Sequence, residues 1–122
     1  EAGAPAWHQL TTRDYRAALA FYRETLGWRT EQIADTDEFR YTTAWFGDQQ
    51  LLGVMDGAGF LPDDVGSNWA IFFGAQHVDK TLQVIADNGG AVLRPAEDTP
   101  YGRLAAAADP TGAVFNLSSL DA

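Results

Sequence analysis

The stretch AWHQLTTRDYRAALAFYRETLG, residues 6–27, starts as a strand and turns into a helix. Residues 6–12 are strand-like, and after them Tyr15, Ala18, Leu19, Tyr22 and Leu26 recur at i, i+3, i+4, i+7 and i+11, a single helical stripe. Asp14 is suited to cap that helix or to sit in its first turn, and Gly27 is suited to end it, so the spacing predicts a helix over 14–26. Strands are expected next at 28–34, 38–46 and 49–56, the last two joined by a tight turn at Gly47 and Asp48.

The order then restarts. Residues 57–67, GAGFLPDDVGS, read as a linker loop, followed by a strand at 68–75 and a helix at 78–88 with Val78, Leu82, Ile85 and Ala86 on one face. Gly89 and Gly90 stop that helix, and strands are expected at 91–95, 102–109 and 112–120. Trp7 to Gly27 and Trp69 to Gly89 are both intervals of 20, a repeat at an offset of 62. A β-α-β-β-β unit is duplicated, with modules at 6–56 and 68–120 inside one domain spanning 1–122. The fold class is therefore α+β: each helix covers one sheet face, and the other faces of a curled mixed sheet are expected to turn toward a shared central cavity.

Composition narrows the function. Seventeen acidic against eight basic side chains give a net charge of −9, which argues against nucleic acid and anionic membranes as partners. Zero cysteines exclude disulfides, thiolate metal sites and a cysteine nucleophile. With 46% hydrophobic residues, no membrane-length apolar run and no secretory signal in EAGAPAW at 1–7, a soluble, cytoplasmic protein is expected. Glu1 in place of an initiator methionine suits a chain trimmed from a longer one.

In ADPTGAVFNLSS, residues 108–119, the turn at Asp109–Gly112 leads into a strand with Val114, Asn116 and Ser118 on one face and Ala113, Phe115 and Leu117 on the other. An asparagine stands mid-strand where a valine would fit. No GxSxG elbow and no phosphate-binding glycine loop occurs, and Asp63 and Asp64 read as solvated loop charge.

With Phe21, Tyr22, Leu26 and Gly27 in the first module and Gly89, Gly90, Asp109, Pro110 and Gly112 in the second, the chain resembles the vicinal oxygen chelate superfamily over nearly its whole length. That superfamily includes glyoxalase I, extradiol dioxygenases, fosfomycin-resistance enzymes and bleomycin-binding proteins, and the opening WHQLTTRD is similar to glyoxalase-like domains that occur in tandem. The resemblance implies metal-ligand positions on the first and last strands of each module. They fall here at Trp7, near Gly53, at Ala70 (Trp69 if the count slips by one) and at Asn116, where glutamate is usual. A divalent ion wants three or four histidine or carboxylate donors, and this set offers one asparagine carbonyl. No metal and no other cofactor is expected. His8 lies one residue out of register, and His77 precedes the second helix, where a capping or solvated role is expected.

The same register predicts an amphipathic pocket. Trp7, Gln9, Trp45, Gly53, Met55, Ala70, Phe72, Arg103 and Asn116 are the candidate ligand-binding residues, with small Gly53 and Ala70 leaving room and Gln9, Asn116 and Arg103 orienting the guest. Three readings follow. The first is a metal-free binder of an aromatic or amphipathic metabolite, as in the bleomycin-binding relatives, with metal-free catalysis by Arg103 polarising a carbonyl as its offshoot. The second is a metal-dependent lyase, isomerase or dioxygenase that uses His8, His77 and acids such as Glu38 or Glu97. The third is a non-catalytic dimerising domain, a homodimer or half of a tandem chain.

Overall fold

In the computed structural model, which describes residues 1–120, ten elements follow one another: β1 (Pro5–Thr12), α1 (Tyr15–Leu26), β2 (Arg29–Asp35), β3 (Arg40–Phe46), β4 (Gln49–Asp56), β5 (Asn68–Ala75), α2 (Val78–Asp87), β6 (Ala91–Thr99), β7 (Gly102–Ala108) and β8 (Val114–Ser119). The chain divides into two units. One is Trp7–Trp69; the other joins Glu1–Ala6 to the chain from Ala70 onward.

In the first unit the strands run in the order β2-β3-β4-β1. β1 pairs with β4 in parallel, and β2 with β3 and β3 with β4 antiparallel. α1 is capped as its sequence requires: the Asp14 side chain accepts from the Ala17 N–H at 3.1 Å, and Gly27 takes the left-handed conformation at φ 70° while its N–H reaches the Arg23 carbonyl. Leu10, Tyr15, Leu19 and Val54 form the core under this helix, with Ala18, Tyr22 and Trp28 packed around them. The Tyr15 hydroxyl is hydrogen-bonded to Thr42 Oγ1, so the polar groups buried on this face satisfy each other.

The second unit repeats the order as β6-β7-β8-β5, with β5 and β8 parallel and the other pairs antiparallel. Its core gathers Ala75, Val78, Leu82, Ala105, Ala107 and Leu117 between α2 and the sheet. Residues 1–6 join this unit beside β5: the Gly74 N–H donates to the Ala4 carbonyl, and the Gly3 N–H to the Gly74 carbonyl, each at 2.9 Å.

β6 runs four residues beyond the strand expected at 91–95. Pro95 looked like a stop. It is tolerated because β6 pairs only with β7, and register shifts between Val92 and Arg94 and between Arg94 and Glu97 absorb it. His77 occupies the N-cap of α2 without a side-chain cap bond and is exposed. Residues 57–67 contain no helix or strand, and the Arg13 guanidinium donates to the carbonyls of Val65, Leu61 and Pro62 to hold that loop. No helix among the described residues is long and apolar enough to cross a membrane.

Candidate functional site

Because Leu10 and Val54 face α1, strand alternation sends Trp7, Gln9 and Thr11 of β1 and Gly53 and Met55 of β4 to the opposite, helix-free face. The Trp7 indole N–H donates to the Tyr41 hydroxyl at 3.1 Å. Tyr41 is buried, and its ring lies over Gly53, so that a Cβ there would overlap the phenol oxygen and the adjoining ring carbons. The open room expected at Gly53 is therefore absent: a tyrosine from the neighbouring strand fills it. Tyr41 was legible in principle, since it lies two steps of alternation before Thr43 and four residues before Trp45.

The rest of this face is linked by side-chain hydrogen bonds. Gln9 Nε2 approaches Met55 Sδ at 3.9 Å, Gln50 Nε2 donates to Thr43 Oγ1 at 2.7 Å, and the Trp45 indole donates to Glu31 at 3.0 Å. The Arg29 guanidinium sits 5.7 Å from the Trp45 ring centroid, a cation–π contact. Arg29, Thr30, Glu31, Trp45, Gly47 and Asp48 line a shallow depression of about 410 Å³. Trp45 thus lines this depression together with the charged side chains of Arg29, Glu31 and Asp48.

In the second unit, Leu117 faces α2, so Asn116 faces away from it, as the alternation predicted. Asn116 pairs in register with Phe72 on one side and Ala106 on the other. It is half-buried, and its side chain makes no hydrogen bond to another described residue. Ala70, also half-buried, lies two residues before Phe72 on the same strand face.

Arg103 is not on that face. It alternates with Ala105 and Ala107, which pack under α2, and its guanidinium is held there by Asp79 of α2 at 2.6 and 3.0 Å and by Asp98 of β6 at 2.8 Å. The two carboxylates raise the Arg103 pKa, and the hydrogen bond from Arg103 holds Asp79 below the usual carboxylate range. A guanidinium committed to two carboxylates on the helix side is not available to orient or polarise a guest on the other face.

Trp7, Gly53 and Ala70 provide no donor atom, and Asn116 provides a single carbonyl, a set that does not fit a divalent ion. Among the described residues, no three or more histidine, aspartate or glutamate side chains are gathered so as to hold one. His8 and His77 are both exposed, as are Glu38 and Glu97.

This duplicated βαβββ arrangement is that of a known superfamily. The sequence profile described as Glyoxalase/Bleomycin resistance protein/Dioxygenase superfamily matches residues 5–117, and the chain belongs to that superfamily. It is 32% identical over 120 residues to "Putative glyoxylase CFP32" of Mycobacterium tuberculosis, covering 96% of this chain and 44% of that protein. It is 29% identical over 126 residues to "Anthracycline biosynthesis protein DnrV" of Streptomyces peucetius, covering 93% of this chain and 46% of the other. The chain thus spans less than half the length of these curated relatives. Among solved structures, a variant of Streptomyces coelicolor methylmalonyl-CoA epimerase in complex with 2-nitronate-propionyl-CoA has the same fold. It superimposes with a TM-score of 0.70 over 100% of both chains at 20% identity.

Proposed function

We propose that this chain is a small-molecule-binding member of its superfamily that holds an aromatic or amphipathic metabolite on the helix-free face of its first unit, without a metal ion. The observation that carries the reading is the Trp7–Tyr41–Gly53 arrangement. At two positions where the family resemblance implies metal ligands stands a flat aromatic wall locked by a hydrogen bond. Such a wall suits a planar ring, which keeps its contact area with few rotors to immobilise. Taken by itself, the helix-free face of the second unit carries the Phe72 ring and the Asn116 amide, whose donor and acceptor are not used by other described side chains. Gln9 and Met55 supply a polar and a polarisable contact. The name of one relative, an anthracycline biosynthesis protein, supports this ligand class, since anthracyclines are fused aromatic ring systems.

The test is titration of a hydroxyanthraquinone into protein purified without chelator, followed by tryptophan emission, with elemental analysis of the same sample. The expected result is saturable quenching that survives dialysis against EDTA, substoichiometric metal, and binding roughly tenfold weaker in Trp7→Phe, a loss of about 1.4 kcal/mol. Stoichiometric zinc, iron, nickel or manganese with binding lost on chelation would transfer the assignment to a metal-dependent lyase, isomerase or dioxygenase. Absence of saturable quenching would overturn the binding reading itself.

A further inference from the structure

The depression beside Trp45 is not accounted for by the Trp7–Tyr41 wall. Tyr41, Thr43 and Trp45 alternate onto the helix-free face of the first unit, and Arg29 and Glu31 of β2 stand in register opposite Trp45 and Thr43. Trp45 follows Tyr41 by four residues, about 13 Å along the strand, so the depression is a separate place on the same face.

Its charges are held apart. Arg40 is ion-paired with Asp35, Asp37 and Asp56, and Arg103 with Asp79 and Asp98. Arg29 forms no ion pair with a described residue, although Glu31 and Asp48 line the same depression. Its guanidinium is fixed instead by donation to the Gly47 carbonyl and by the Trp45 ring. The Trp45 indole N–H in turn engages Glu31 through Oε1 alone, and the Asp48 carboxylate makes no hydrogen bond to a described residue. One guanidinium and two carboxylates are thus presented separately around a half-buried indole.

That arrangement selects one class of group. An anion approaching Arg29 meets two carboxylates, and a cation approaching the carboxylates meets Arg29. A neutral polyol meets neither penalty, because each hydroxyl both donates and accepts: adjacent hydroxyls can donate to Glu31 and Asp48 and accept from Arg29. The indole adds an apolar surface for the C–H groups of a saccharide ring. A shallow depression also leaves the remaining hydroxyls in water, where an enclosed cavity would strip them of hydrogen bonds. We infer that the Arg29–Glu31–Trp45–Asp48 depression is a subsite for an uncharged sugar. That the sugar is carried by the aromatic metabolite rests on the ring-binding reading above; the subsite itself does not.

Saturation-transfer NMR with the methyl pyranosides of glucose, galactose and mannose, each at about 10 mM, reads the subsite with no aromatic ring present, so its outcome is separate from that of the quenching assay. Transfer to the C–H protons of at least one of these sugars is expected in the wild-type chain. Its loss is expected in Trp45→Ala and in Glu31→Gln/Asp48→Asn, each with an unchanged far-UV circular dichroism spectrum. A hydroxyanthraquinone glycoside of the same sugar is expected to bind about tenfold more tightly than the free hydroxyanthraquinone. No transfer to any of the three sugars, transfer retained in either variant, or a glycoside that binds no tighter than its aglycone would each overturn the inference. Transfer to a sugar without any hydroxyanthraquinone binding would uphold the subsite and overturn the ring-binding reading.

Discussion

The two units have one topology and two ways of finishing it. On its helix-free face the first carries hydrogen-bonded aromatics, Trp7 on Tyr41 and Trp45 on Glu31; the second carries Ala70, Phe72, Ala106 and an Asn116 whose side chain makes no hydrogen bond to another described residue. Under the helices the contrast reverses in kind. The first unit packs Tyr15 with its hydroxyl on Thr42, whereas the second packs alanines and leucines and fastens α2 from outside through Arg103 and Asp79. Duplication therefore preserved the backbone order, which pairing and alternation enforce, and left the side chains that finish each face to diverge.

The strongest way to break this comparison is to empty each core. Leu19→Ala and Leu82→Ala remove buried leucines from the core-facing sides of α1 and α2, and each is expected to cost about 2–5 kcal/mol in urea unfolding. A near-neutral Leu82→Ala would mean that the ion-paired fastening, rather than burial, holds α2. Next in size is Gly53→Ala, expected to cost about 1–3 kcal/mol because its Cβ has no space beneath the Tyr41 ring. Most of that cost should vanish in a Tyr41→Ala background; if it persists there, Tyr41 is not what fills the position.

A smaller effect separates the two helix starts. Asp14→Ala is expected to lower stability by about 1 kcal/mol, whereas His77→Asp, which supplies α2 with the side-chain cap it lacks, should raise it by about 0.5–1 kcal/mol. Thermal melts of both variants at neutral pH measure the pair. Smallest is the acid limb. Asp109 is held below the usual carboxylate range by the Thr111 hydroxyl first, and then by the Ala113 and Thr111 backbone N–H groups; Asp79 is held there by Arg103. Both contributions are complete above the unfolded aspartate value of about 4 and fade as pH falls through the lower folded values. Arg103, raised by its partners, stays charged across that whole range and adds no slope. Melting temperature should thus fall less steeply below pH 4 in Asp79→Asn and Asp109→Asn than in wild type.

Much of the fold was legible because its signals are periodic. The stripe from Tyr15 to Leu26 gave α1, Asp14 and Gly27 gave its ends, and the repeated interval between tryptophan and glycine gave the second copy. The face of Asn116 was legible for the same reason, since side chains in a strand alternate whatever their neighbours are. Arg103 was misassigned although the same rule applies to it: its in-register neighbours Ala105 and Ala107 carry too little hydrophobic signal to mark the buried face. The end of β6 was missed because proline stops a central strand but not one paired on a single side.

The amino-acid order alone determined the elements, the duplication and which strand residues share a face, all of which follow from backbone periodicity and local turn chemistry. Only the tertiary structure decided that Tyr41 closes the space over Gly53, that Arg103 serves α2, and that Phe21, Phe46 and Trp69 gather around the stacked rings of Tyr22 and Trp28. Those outcomes depend on which strand lies beside which and on how far a side chain reaches across to it. Contacts between residues distant in the chain leave no period in the sequence.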